Sequence, residues 1–171
     1  MNTPHIVRAY EAGEDDGVYY LAMAYVKGES LADVLQRDAP LEERAALLIV
    51  QKIAGALREA WEEQNLLHRD IKPANILMNT KGEPLLADLG IAKRLDESDG
   101  LTQTGSVLGT PNYMSREQIE GRSDIDTRSD MYGLGTTFYH MLTGHMPFSG
   151  STLVETAHQA GHRTVAGSAL L

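Results

Sequence analysis

The 171 residues predict an α+β chain, and three observations carry that expectation. Two runs, Ile6 to Tyr10 and Val18 to Tyr25, hold the β-branched and aromatic residues that suit a pleated surface. From Leu41 to Gln64 the apolar residues Ala45, Leu48, Ile49, Ile53, Ala56, Leu57, Ala60 and Trp61 recur at the helical period. A further apolar segment opens at Asp130, runs to Leu142 and stops at Gly144 and Pro147, as a capped helix should.

Taken in chain order, the first two runs are joined by an acidic turn containing Gly17, which predicts an antiparallel hairpin. Ser30 with Asp33 three residues later is a capping-box variant that starts a short helix through Gln36. The long helix ends at Asn65 and delivers the chain to His68. Ile76-Leu77-Met78 and Leu85-Leu86-Ala87 are then short strands about a Lys81-Gly82 turn. After the segment that begins at Asp130, one weak helix is expected over Thr152 to Gln159.

A chain of this length with 42% hydrophobic residues can bury one core and is not a disordered tail. The absence of cysteine removes disulfides and thiolate metal sites and agrees with a reducing compartment, so the cytoplasm is the expected location. Ala45 to Val50, the longest apolar stretch, is far short of the ~20 residues a spanning helix needs, and no export signal is expected. A net charge of −9 disfavours a nucleic-acid partner, because phosphate backbones demand a basic footprint.

The residues that carry chemistry stand between these elements. His68-Arg69-Asp70-Ile71-Lys72-Pro73-Ala74-Asn75 is followed by Asp88-Leu89-Gly90, which fixes four polar side chains at set spacing between short apolar runs. An isolated Asp70 would be a loop carboxylate capping a turn. The joint pattern is the signature H-R-D-x-x-x-x-N followed by D-x-G, and the chain therefore resembles a protein Ser/Thr kinase, most closely the bacterial kinases of eukaryotic type.

That resemblance implies a protein-kinase-like fold consisting mostly of the helical large lobe. Residues 1–26 would be a small-lobe remnant of two strands and a hinge, and residues 27–171 an incomplete large lobe. It implies phosphoryl transfer from ATP, with Mg2+, to Ser or Thr of a protein substrate. Asp70 would orient or deprotonate the acceptor hydroxyl, Lys72 would neutralise the transferred phosphoryl, and Asn75 and Asp88 would hold magnesium through hard oxygen ligands. Lys72 two residues after Asp70 implies Ser/Thr rather than Tyr acceptors. His68 would be a packing residue, since no second ligand lies at zinc-site spacing. Leu89 would keep the packing role of the usual Phe.

Further matches extend along the chain. Thr102 and Thr104 lie in a stretch that resembles an activation segment, where they would be phosphosites gripped by Arg69, or merely solvated loop residues. Thr110 would contact the catalytic loop, and Glu117, preceded by Arg116 where the family has Pro, would close the segment. Met23 would be the gatekeeper, or simple core. Ala24, Tyr25 and Val26 would form the nucleotide hinge. Asp130 would hold the catalytic-loop backbone, cap its helix, or both. His158 and His162 could share a helix face, but Gln159 and Gly161 make a metal pair there improbable.

The resemblance also implies missing parts. No Gly-rich loop, strand lysine or helix glutamate precedes Ile6, and the later helices, with the arginine that would pair with Glu117, are not found. Truncation at both ends and weak or no ATP turnover by the chain alone are therefore expected. The alternative is an inactive kinase remnant that binds proteins.

Overall fold

A computed structural model gives the architecture, describing residues 4–88 and 111–148 together with 155 and 159. Strands β1 (Ala9–Asp15) and β2 (Val18–Met23) form an antiparallel hairpin. Its two-residue turn has Asp16 at φ 48° and Gly17 at φ 79°, both in the left-handed region that matches the twist of a tight hairpin. The turn is therefore shorter than the sequence suggests. Glu11 to Asp15 belong to the first strand and not to the connection, while Ile6 makes a separate parallel bridge to Leu86.

A second sheet has the order β3 (Gly28–Ser30), β4 (Ile76–Asn79), β5 (Pro84–Leu86), all antiparallel. β3 has no periodic apolar signal and was not expected. Its existence depends on Gly28, where a Cβ would stand 1.9 Å from the Met78 carbonyl oxygen, so only glycine allows that approach. The turn between β4 and β5 lies where Lys81-Gly82 predicts it, and Asn79 Oδ1 accepts from the backbone N–H groups of Lys81 and Glu83.

Helix α1 (Leu31–Asp38) starts at Ser30 with the capping box read from the sequence, Ser30 Oγ accepting from Asp33 N. Helix α2 (Glu43–Gln64) is capped by the Glu42 side chain and ends on Asn65 in the left-handed conformation. Its buried face is Ala46, Ile49, Ile53, Ala56 and Ala60. Ala45 and Leu48, counted on the apolar stripe by spacing, point outward, because the core-facing line is set by packing against the second long helix.

Helix α3 (Arg116–Ile119) is a single turn, and helix α4 (Thr127–Thr143) is the partner of α2. Asp126, not Asp130, is the N-cap of α4, and Gly144 at φ 73° ends it. The main core joins Leu31, Leu35, Ile49, Ile53, Leu134 and Met141 with Ile71, inside the catalytic-loop candidate, and Ile76, just after it. That loop is thus pinned to the core at its middle by Ile71 and just past its end by Ile76. Among the described residues no helix is long and apolar enough to cross a membrane.

Candidate active site

Residues 66–72 run in irregular backbone between α2 and a 3-10 turn at Pro73–Asn75. Irregular buried backbone needs partners, and this segment takes them from side chains. Asp130, buried in the first turn of α4, accepts from the backbone N–H of His68 (2.8 Å) and of Arg69 (2.7 Å). The Arg69 carbonyl accepts from Gln118 Nε2 on α3 at 2.6 Å. These bonds tie the loop to α4, whose N-cap is Asp126 and not Asp130.

His68 is fully buried. Its Nδ1 accepts from the Asp70 backbone N–H (3.2 Å), so the ring proton sits on Nε2, which donates to the Ala87 carbonyl (2.8 Å). Desolvation pushes its pKa below the ordinary histidine value, although the Ala87 bond and nearby carboxylates oppose it. The ring is a neutral strut between the 68–70 segment and the end of β5. Among the described residues there is no group of three or more His, Cys, Asp or Glu that could hold a metal.

Asp70, Lys72 and Asn75 converge. The Lys72 ammonium lies 2.9 Å from Asp70 Oδ2, and Asn75 Nδ2 donates to the same oxygen (3.0 Å) and to the Asp70 carbonyl (2.8 Å). With its nitrogen committed to Asp70, the amide of Asn75 offers Oδ1 as its remaining ligand atom. The Ala87 N–H donates to the Asn75 carbonyl (2.8 Å), which ties the residue before Asp88 to Asn75 through the backbone. Asp88 is exposed, with φ 58°, and Arg69 has φ 64°. An amide oxygen and a carboxylate are a donor set suited to Mg2+, which takes few protein ligands and completes its shell with water and phosphate oxygens.

Around this centre Gly133 of α4 lies so close to Ile71 that a Cβ would stand 3.0 Å from the Ile71 Cβ and carbonyl oxygen. Glu117 accepts from the Ser129 hydroxyl, and Ser115 Oγ donates to Ser129 Oγ or Gln118 Oε1. Burial pushes the Glu117 carboxyl up, but hydrogen bonds from Ser129, its own backbone and Ser115 outweigh it and leave the group below the ordinary glutamate value. Among the described residues the hydrogen bond that Glu117 accepts comes from a hydroxyl and not from an arginine. Tyr113 donates to His140 Nδ1 at 2.8 Å. Burial raises Tyr113 to about 12 and lowers His140, so the phenol keeps its proton and the imidazole stays a neutral acceptor.

The stretch Met23 to Val26 connects β2 to the chain before β3. Met23 and Val26 are half-buried and Tyr25 is 89% exposed, while the Ala24 N–H is committed across the hairpin to the Arg8 carbonyl (2.8 Å). Leu89, Thr102, Thr104, Thr110, His158 and His162 lie outside the described residues. Gln118, Ser115, Ser129, Tyr113 and His140 were not singled out by the sequence reading. Of these, Ser115 and Gln118 were legible as a capping box, S-x-x-Q.

A family model described as the protein kinase domain matches residues 1–167. The serine/threonine-protein kinase PknB of Mycobacterium leprae is 40% identical over 164 residues, covering 93% of this chain and 26% of the relative. PrkC of Bacillus subtilis is 40% identical over 157 residues, covering 92% of this chain and 24% of that protein. PknB of Mycobacterium tuberculosis strain H37Rv is 38% identical over 165 residues, with 93% and 26% covered. The chain thus spans about a quarter of the length of the curated relatives it matches. With the Asp70–Lys72–Asn75 cluster held by Asp130 and the family model matched over nearly its whole length, this chain belongs to the protein kinase domain family.

Proposed function

We propose that this chain carries the catalytic loop of a protein serine/threonine kinase that moves the γ-phosphoryl group of ATP to a Ser or Thr hydroxyl of a protein. The observation that supports it most is the contact of Lys72 and Asn75 with the same Asp70 carboxylate oxygen, at 2.9 and 3.0 Å. An aspartate fixed by a cation and an amide is oriented before substrate arrives, which is the kind of positioning phosphoryl transfer rewards.

In this reading Asp70 Oδ1 faces the acceptor hydroxyl and takes its proton as the new O–P bond forms. Lys72 is placed to move its charge toward the transferred group as that group leaves the nucleotide. Asn75 Oδ1 and the Asp88 carboxylate would hold Mg2+, which would draw negative charge from the phosphate oxygens. Met23 to Val26 border the adenine, and Thr102, Thr104 and Thr110 serve as the activation segment, whose phosphate Arg69 would grip. Residues 1–26 and 27–171 serve as small-lobe and large-lobe parts.

A cytoplasmic location fits a cysteine-free, ATP-using protein, and its charge of −9 favours protein over nucleic-acid acceptors. The test is transfer of labelled phosphate from Mg–ATP to a Ser/Thr peptide by the full natural protein, beside its Asp70→Asn variant. Label on Ser or Thr that the substitution abolishes supports the reading. Equal background in both proteins sinks it and leaves the protein-binding alternative.

A further inference from the structure

Gln118, on the single turn of α3, is half-buried and bonds to two separate stretches of chain. We propose that it is a positioning residue for phosphoryl transfer, holding the peptide plane that leads into Asp70. The proposal rests on the kinase reading above and adds to it a residue outside the catalytic-loop signature.

Its partners fix which way the amide points. The Ser115 backbone N–H, which can only donate, meets Oε1 at 3.0 Å, and the Ser115 hydroxyl lies 3.2 Å from the same oxygen. Nε2 therefore faces the Arg69 carbonyl, which can only accept, at 2.6 Å. An amide turned the other way would fail at both ends.

The second bond falls where the loop needs it. The peptide between Arg69 and Asp70 is a rigid plane with two polar ends. Its N–H goes to His68 Nδ1 at 3.2 Å, and its C=O takes the shorter contact from Gln118. The preceding plane is held through the Arg69 N–H by Asp130. Between the two planes Arg69 stands at φ 64°, in the left-handed region that is costly for a residue with a Cβ. Freed from Gln118, Arg69 can relax toward an ordinary conformation, and the plane turns with it. That turn carries Asp70 away from Lys72 and Asn75, which meet its Oδ2 at 2.9 and 3.0 Å.

Capping α3 and holding the loop use different atoms of one side chain, so they can be separated. The cap needs only the acceptor Oε1, and the loop needs only the donor Nε2. Gln118→Glu keeps the cap, because S-x-x-E is also a capping box, and sets an acceptor against the Arg69 carbonyl. Gln118→Met, of similar length, loses both bonds.

The experiment compares the full natural protein with both variants at about pH 8, where an introduced carboxyl is ionised. It reads phosphate transfer from Mg–ATP to a Thr peptide, the urea midpoint, and hydrogen exchange over residues 66–72. Gln118→Glu should lower kcat about ten- to a hundredfold, with the KM for ATP within about twofold and the urea midpoint near the parent's, while exchange quickens. Gln118→Met should lower kcat no further than Gln118→Glu, although its midpoint also falls. A merely structural Gln118 gives the reverse: parental kcat in Gln118→Glu, and a loss in Gln118→Met that follows its midpoint. That order, or parental exchange in Gln118→Glu, would overturn the proposal. Faster exchange in Gln118→Glu when the parent transfers no phosphate would leave Gln118 as the residue that holds the Asp70 plane and sink the kinase reading.

Discussion

Asp130 accepts the backbone N–H groups of His68 and Arg69, 62 and 61 positions earlier, with its two carboxylate oxygens at 2.8 and 2.7 Å. One buried side chain on a helix thus fixes the shape of a loop that has no regular hydrogen bonding of its own. Asp130→Ala would leave both donors buried and unpaired. We expect a loss of about 2–4 kcal/mol in stability, with Asp130→Asn intermediate because it keeps one acceptor. Urea unfolding of the full protein measures this, and a loss under about 1 kcal/mol would show that water replaces the carboxylate.

Asp70→Asn preserves the shape of the Lys72 and Asn75 cluster but removes the carboxylate that the proposed function makes the proton acceptor. Steady-state assays should show kcat down by about 10²–10⁴ with the KM for ATP little changed. Unchanged kcat would remove Asp70 from the mechanism.

The desolvated imidazoles of buried His68 and half-buried His140 make stability depend on pH. Desolvation lowers His68 and His140 in the folded protein below their unfolded value of about 6.5. The unfolded chain therefore binds protons first as pH falls. The stability these neutral rings contribute is complete above about pH 6.5 and is lost progressively below it, at up to about 1.4 kcal/mol per pH unit for each group. Denaturation between pH 7.5 and 5 should show this decline, and His68→Gln should lessen its slope. A His68→Gln slope equal to the parent's would mean that His68 is already charged when folded.

Gly133 faces Ile71 with no room for a methyl group that cannot be made by shifting the loop. Gly133→Ala raises helix propensity, yet the crowding should outweigh it and cost about 1–3 kcal/mol. Because Ile71 lies between Asp70 and Lys72, kcat should fall as well. Gly135, where an added Cβ meets nothing within 4 Å, is the control: its alanine variant should be neutral or stabilising.

The long helices and the catalytic cluster were legible because each has strong local signals. α2 follows a helical apolar repeat, α1 opens with Ser30 and Asp33, and Asp70, Lys72 and Asn75 stand at recognisable spacing. What escaped depends on distant neighbours. β3 exists because Gly28 can approach the Met78 carbonyl, and the start of α4 belongs to Asp126 because Asp130 is occupied with the loop. The hairpin was misjudged at its turn, since paired acidic residues look like a loop until a two-residue Asp16-Gly17 reversal shows that they are strand.

Arg69 and Asp88, on either side of the cluster, are non-glycine residues in left-handed backbone, at φ 64° and 58°. Each conformation costs roughly 1–2 kcal/mol against an ordinary one. The site is therefore held under tension by its surroundings, chiefly the Asp130 bonds and the His68 strut. Selection for heat resistance alone would reach positions 69 and 88 early, since glycine relieves the tension at either. It would gain a sturdier protein by giving up the guanidinium and the carboxylate to which the proposed function assigns phosphate and Mg2+.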